Sequence, residues 1–148
     1  MLKIVNGEYV DMTQAEIDVY NASLPTVADA IAAKLEQLDN KATEVEEQGI
    51  TVGGNNIATD LRAQLKLTSG VTFFSRNPTL SKRVKLKSNG FINTDKATVE
   101  AMQDALSAHL DSVAANHEIH YNAINAINAL LTKEEVIAYD INTGWPAK

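Results

Sequence analysis

The segment from Thr94 to Leu131 carries the strongest periodic signal in this chain: TDKATVEAMQDALSAHLDSVAANHEIHYNAINAINALL. Its apolar residues recur at intervals of three and four positions, which places them on one side of a helix that packs along another helix. We therefore predict one long amphipathic helix over residues 94–131. The seam of this helix consists of Val99, Met102, Leu106, Leu110, Val113, Ile124, Ile127 and Leu131.

A second apolar seam predicts another long helix, running from about Thr26 to Gln48 and closed by Gly49 as its C-terminal cap. Three glutamates crowd its last turn, where the helix dipole disfavours negative charge, so we expect a basic partner there. These glutamates are Glu44, Glu46 and Glu47. The apolar residues of this seam are Val27, Ile31, Leu35, Leu38, Ala42 and Val45.

The N-terminal residues predict a small hairpin over residues 2–10, with Asn6-Gly7 as its turn. A short helix follows, because Thr13 and Glu16 stand at the spacing of a capping box. It should end near Ser23, since Pro25 disfavours helical geometry at the residue before it.

The middle of the chain is richer in strand and turn signals. We predict a hairpin over residues 50–59 around Gly53-Gly54-Asn55-Asn56 and a short helix from Asp60 to about Leu67. Thr68-Ser69-Gly70 should end that helix and lead into a strand over residues 71–74. Residues 83–87 alternate cationic and apolar side chains with the period of a strand.

These elements predict a mainly α protein with small β-hairpins, of the α+β class. Long amphipathic helices should pack as a bundle or coiled coil beside a small mixed subdomain. Thr132 and Glu135 form another capping box, which predicts a last helix through about Tyr139. We divide the chain into an N-terminal hairpin and helical association segment, residues 1–48, and a C-terminal domain, residues 49–148.

The composition excludes several classes of protein. Hydrophobic residues make up 45% of the chain, which is enough for a core. The absence of cysteine excludes a disulfide framework, a thiolate zinc site and a cysteine nucleophile. No apolar run approaches the roughly 18 residues that cross a bilayer, and the first residues are too polar for a signal peptide. We therefore expect a soluble protein, without membrane contact, made in a cytoplasm.

The net charge of −6 hides a strong partition. Residues 1–60 hold eleven acids and three bases, and residues 95–148 hold eight acids and three bases. Residues 61–94 hold seven bases and no acid. We expect the basic segment to dock on the acidic helix over residues 26–48, in the same or a neighbouring subunit. Solvated cations, nucleic-acid binding and binding of another anion such as an anionic glycan are the alternatives. The cations assigned to this interaction are Arg76, Lys82, Arg83, Lys85 and Lys87.

No motif in the sequence indicates an enzymatic reaction, and we predict neither a catalytic residue nor a cofactor. His117 and His120 are three apart on the long predicted helix and would share a face, so a metal site is an alternative. The third ligand is missing from the pattern, because Glu118 is poorly placed beside His117. We expect His109, His117 and His120 to be packing and interface residues, with a proton-triggered switch as a further alternative.

An ordered set of motifs over residues 49–147 resembles a known family. It begins with a small hairpin and a helix start at residues 49–60, continues with Lys87-Ser88-Asn89-Gly90-Phe91 and the long helix containing Ala108-His109-Leu110, and ends with residues 127–136 and Gly144-Trp145-Pro146. This order is similar to the small uncharacterised domain found near the C-terminus of tail-fibre and tail-associated proteins of tailed bacteriophages and prophages. Residues 4–7 and 12–16 also resemble the opening of many short phage tail proteins.

The resemblance implies a setting and no enzymatic mechanism. We expect a non-enzymatic structural component of the tail, baseplate, fibre or collar of a phage particle, synthesised in the cytoplasm of the bacterial host and located in the virion. Its partners would be other copies of itself, joined through the helix seams, and other phage tail proteins. A tail-fibre assembly chaperone is one alternative, and a nucleic-acid-binding module that uses residues 76–87 is another.

Overall fold

The computed structural model describes residues 1–5, 8–88, 90–127 and 132–147. About 60% of the chain is helical, and the strands form three separate antiparallel hairpins, which confirms the predicted α+β class. The elements in chain order are β1 Leu2–Val5, β2 Glu8–Asp11, α1 Gln14–Ser23, α2 Val27–Glu47, β3 Ile50–Val52, β4 Asn55–Ile57, α3 Leu61–Arg76, β5 Lys82–Lys85, β6 Phe91–Thr94, α4 Lys96–Ile127 and α5 Lys133–Ala138.

Helix α4 is the centre of the molecule, because α2, α3, α5 and β3 all pack against it. One end of α4 shares an apolar cluster with α3 and the two central hairpins, and the other end shares one with α2, α5 and the C-terminal segment. The first cluster is built on Ile50, Ile57, Leu67, Phe74, Val99, Met102 and Leu106. The second is built on Ala30, Ile31, Leu38, Ile124, Val136 and Ile141.

The predicted helix starts are confirmed by their capping bonds. The Glu16 and Asp29 carboxylates accept hydrogen bonds from the backbone N–H groups of Thr13 and Thr26, at 2.9 and 2.6 Å. Glu135 does the same for Thr132 at 2.7 Å, so α5 begins where its sequence predicts. Each bond satisfies a backbone donor that the first helical turn leaves without a partner.

The prediction of a short helix followed by a strand over residues 71–74 is wrong, because α3 continues through Gly70 to Arg76. Gly70 is buried, and a Cβ atom there would lie 3.1 Å from Cγ1 of Val99. The glycine therefore lets α3 approach α4 closely, which offsets its poor helix propensity. Leu67, Gly70 and Phe74 form the buried stripe of this helix.

The hairpins follow the predicted pairs with small changes of boundary. Val52 pairs with Asn55, so the turn of the second hairpin is Gly53-Gly54 alone, with both glycines at positive φ. In the third hairpin Val84 pairs with Ile92. The predicted turn at residues 6–7 and the predicted end of the long helix at residues 128–131 lie outside the described residues. In the described part of the chain, no helix is long and apolar enough to cross a membrane.

Candidate functional site

The two predicted seams face each other inside a single chain. Helices α2 and α4 pack along each other, and most seam side chains are buried there or against α3 and α5. The buried ones are Ile31, Leu38, Val45, Val99, Met102, Leu106, Val113 and Ile124, whereas Val27, Leu35, Ala42 and Leu110 are half-buried. Nothing is described for the side chains of Ile127 and Leu131. These apolar residues therefore build the core of the chain.

Polar side chains on the seams bind the carbonyl ends of neighbouring elements. His109 is 6% exposed and donates from Nε2 to the carbonyl of Val45 at 3.0 Å, in the last turns of α2. The ammonium of Lys34 donates to the carbonyls of Ile137 and Tyr139 at 2.8 and 3.1 Å, where α5 ends. The sequence analysis missed Lys34; its one available signal is its position three after Ile31 and four before Leu38, in register with the seam.

His117 and His120 point to different partners. Nε2 of His117 lies 2.8 Å from a carboxylate oxygen of Asp39 on α2. Both nitrogens of His120 are engaged: Nε2 donates to the carbonyl of Thr143 at 3.0 Å, and Nδ1 lies 2.9 Å from the hydroxyl of Tyr139. Among the described residues, no group of three possible ligands is close enough to hold a metal ion.

Removal of metal is therefore expected to leave the fold unchanged. Treatment with a chelator should not move the melting temperature, because Nε2 of His117 and both ring nitrogens of His120 are already engaged by protein groups. A fall of several degrees that zinc reverses would make His117 and His120 candidate ligands instead.

The C-terminal segment is anchored on His120. The Trp145 ring stacks on His120 with ring centroids 5.8 Å apart, and its Nε1 donates to the carbonyl of Ile141 at 2.7 Å. Asn116 donates to the carbonyl of Thr143 at 3.1 Å. These contacts make Trp145 an anchor for the C-terminal end of the chain.

We expect the fluorescence of Trp145, the only tryptophan, to report this anchor. Its emission should be blue-shifted in the native protein and should move to the red on unfolding, because the ring is half-buried. His120→Leu removes the bonds to Tyr139 and Thr143 and should shift the native emission part of the way to the red. His117→Leu is the matched control on the same helix and should leave it unchanged; equal shifts in both variants would contradict the anchor.

A cationic cleft of about 730 Å³ lies between α3, β5 and the segment that joins β4 to α3. Six cations and two acids line it, a net of +4. Its floor is apolar, with Ile57, Val84 and Val99 among the lining residues. The cations are Arg62, Lys66, Lys82, Arg83, Lys85 and Lys87, and the acids are Glu47 and Asp60.

The cations of the cleft lack carboxylate partners. In the described part of the chain, no carboxylate oxygen lies within 4.0 Å of any of the six. Lys82 lies over the ring of Phe73 and Arg83 over the ring of Phe91, at 5.2 and 4.9 Å from the ring centroids. No carboxylate among the described residues therefore neutralises the positive charge of the cleft at close range. Arg76, which the sequence groups with these cations, does not line the cleft.

The basic segment meets the end of α2 through Lys87. Its ammonium donates to the carbonyl of Glu47 at 2.6 Å, so Lys87 is the basic partner expected at the last turn of that helix. The contact uses a backbone carbonyl, since the glutamate side chains there form no ion pair with the described residues of the basic segment. Glu44 pairs with Lys41 of its own helix at 2.9 Å.

The N-terminal unit, which we define as residues 1–24, has an open apolar face. Helix α1 contains no buried residue, and no other described helix or strand packs extensively on it or on the β1–β2 hairpin. The hairpin register puts Leu2, Ile4, Tyr9 and Asp11 on one face. Leu2, Ile4 and Tyr9 are 58, 65 and 75% exposed. This hairpin face, as we call it, combines apolar side chains with a carboxylate.

The opposite face of the hairpin is tied to α1 by an ion pair between Lys3 and Glu16. The hydrogen bond from the Lys3 ammonium, followed by those from Thr13, lowers the pKa of Glu16 to about 2 from its ordinary value of 4.5. Because the pKa of the folded state is the lower one, the stabilisation is complete above pH 4.5 and is lost as the pH falls through about 2.

A carboxyl titration by NMR should therefore give Glu16 a pKa near 2. Lys3→Met removes the largest cause and should raise that pKa toward 4.5. Lys41→Met is the control, because Lys41 pairs with Glu44 and does not touch Glu16. An unchanged Glu16 pKa in Lys3→Met would contradict the ion pair.

Residues 29–143 match the model of one family, a domain of unknown function (DUF4376). This match covers most of the chain, so the chain belongs to that family. No curated protein and no solved structure matches it. The matched region begins inside α2, whereas the predicted division at residue 48, which no comparison tests, stays a prediction.

Proposed function

We propose that the chain is a non-enzymatic structural component of a tailed-phage particle, in its tail, baseplate, fibre or collar region. The ordered motifs over residues 49–147 support this setting, because they resemble the tail-associated domain of phages and prophages. The observation that carries the structural role is the N-terminal unit. Its hairpin face exposes the apolar side chains of Leu2, Ile4 and Tyr9, and an exposed apolar patch of this kind marks a surface that a partner covers.

We assign assembly to exposed surfaces because most side chains of the two seams are already buried in the core of one chain. Separating α2 from α4 would expose Leu38 and Ile124, which are fully buried in the cluster that the two helices share. The cost of exposing such side chains is about 2 kcal/mol each, so the seams are poor candidates for reversible contacts. The hairpin face and the cationic cleft are open, and they provide the contacts in this proposal.

One observation favours a second candidate function, a nucleic-acid-binding module. Phe91 is 56% exposed at the cleft and carries Arg83 over its ring, a pairing that binds single-stranded bases in other proteins. A stacking platform for successive bases needs further exposed rings, and the rest of the chain is acidic. We therefore rank this function below the structural role.

The experiment is mass spectrometry of particles purified from a host that encodes the chain. A structural component is expected at a fixed ratio to the known tail proteins after repeated purification. A tail-fibre assembly chaperone would instead be found with assembly intermediates in the lysate and be absent from finished particles. Abundant host proteins provide the control for contamination. Absence from both particles and intermediates would overturn the proposal.

A further inference from the structure

We infer that the hairpin face of one copy docks into the cationic cleft of a second copy, so that the chain associates head to tail. This inference deepens the proposed function, on which it rests, by naming the partner of both open surfaces. The partner surface has a defined chemistry: an apolar patch that carries one carboxylate, on a unit of negative net charge.

Charge complementarity supports this pairing. The side chains of the N-terminal unit include four acids and one base, a net of −3, whereas the cleft carries a net of +4. Asp11 is the carboxylate of the hairpin face, whereas Glu8 lies on the opposite face of the same strand and adds to the negative charge of the unit. Opposite potentials steer two such surfaces together and penalise contacts between like surfaces.

The apolar parts of the two surfaces also match. The hairpin face offers Leu2, Ile4 and Tyr9, and the cleft offers an apolar floor with Phe91 and Leu65 exposed at its rim. A cleft of about 730 Å³ is within the range that accepts a ligand of several side chains. Docking would therefore cover apolar area on both sides and bring the Asp11 carboxylate to cations that lack a carboxylate partner.

The position of the two surfaces favours a contact between copies. The N-terminal unit precedes α2, and the cleft includes Glu47 at the end of α2. With its 21 residues at about 1.5 Å each, this helix separates its ends by about 30 Å. Among the described residues, neither α1 nor the β1–β2 hairpin makes extensive contact with α2, α3 or β5, so the hairpin face is not packed in its own cleft. Complementary surfaces at opposite ends of one chain produce a heterologous contact.

The test is sedimentation velocity of the full chain and of two charge-reversed variants. The cleft variant is Lys66→Glu with Lys85→Glu, and the hairpin variant is Glu8→Lys with Asp11→Lys; all four side chains are exposed. We expect the wild-type protein to associate in a concentration-dependent way. For each variant alone, we expect the dissociation constant to be at least about tenfold higher. Far-UV circular dichroism of each variant should match that of the wild type.

Mixing the two variants gives the decisive result. The cleft variant retains its native hairpin face and the hairpin variant retains its native cleft, so an equimolar mixture should form a one-to-one complex and nothing larger. Arg76→Glu is the matched control, because Arg76 lies on α3 with Arg62 and Lys66 but outside the cleft; it should associate like the wild type.

Several results would overturn the inference. They are a wild-type protein that stays monomeric at every concentration, a mixture that does not associate, and a cleft variant that associates normally. Binding of single-stranded DNA that the cleft variant loses while association persists would also overturn it in favour of nucleic acid. The docking and the proposed function can fail separately. A chain that self-associates but is absent from particles would support the docking and contradict the virion role. A monomeric chain that is found in particles would support the virion role and contradict the docking.

Discussion

Leu106→Asp is expected to leave the chain largely unfolded at 25 °C. Leu106 is 1% exposed on α4, in the cluster that contains Phe74 and Met102. Truncating a buried leucine costs about 2–5 kcal/mol, and burying a carboxyl group without a partner adds several more. Since a domain is stabilised by about 5–15 kcal/mol in total, this single change removes most of that margin.

Ile119→Asp provides the matched control. Ile119 lies on the same helix and is 64% exposed, so the same substitution there should change the free energy of unfolding by about 0.5 kcal/mol or less. Urea denaturation followed by circular dichroism measures both effects. Equal unfolding midpoints for the two variants would show that the seam does not face the core.

The periodic and capping signals of this sequence predicted most of the secondary structure. Helices α2, α4 and α5 were predictable because their apolar spacing and their caps are local patterns that survive in any packing arrangement. The hairpin around Gly53-Gly54 was predictable for the same reason, since two glycines at positive φ are what a tight hairpin turn requires. Patterns of this kind predict an element without information on the residues that pack against it.

The misreading of α3 has a tertiary cause. Gly70 is a poor helix former, and Val71 to Phe74 have strand propensity, so local rules favour a break. Packing against Val99 reverses that preference, because a Cβ atom at residue 70 would crowd Cγ1 of Val99 at 3.1 Å and glycine avoids this contact. The spacing of Leu67, Gly70 and Phe74 predicts one continuous helix if glycine is counted as a small buried residue.

The candidate site was only partly predictable. The cationic segment is visible in the sequence, but its concave shape arises because α3 and β5, which are separate in the chain, line the same cleft. The carbonyl-binding roles of Lys34 and His109 were invisible for a similar reason. Their partners lie 64 or more residues away in the chain, and no local pattern indicates such a distance.

Gly49→Ala is expected to destabilise the chain by about 3 kcal/mol. Gly49 has φ +84°, a conformation that costs a residue with a Cβ atom about 1–3 kcal/mol. The added Cβ would lie 2.9 Å from the carbonyl oxygen of Ile57 and 2.8 Å from Cδ of Lys87. Crowding in a packed region costs about 1–3 kcal/mol more, and the backbone oxygen has little freedom to move away.

Gly53→Ala separates the two causes. Gly53 also has a positive φ, +55°, but nothing lies within 4 Å of its added Cβ, so only the conformational part of the cost remains there. The difference between the two unfolding midpoints therefore measures the crowding at Gly49. Adding Lys87→Ala to Gly49→Ala should recover only part of that difference, because the Ile57 carbonyl stays in place. Equal destabilisation by Gly49→Ala and Gly53→Ala would contradict the close approach of β4 and Lys87 to the end of α2, and with it the position of Lys87 at the edge of the cleft.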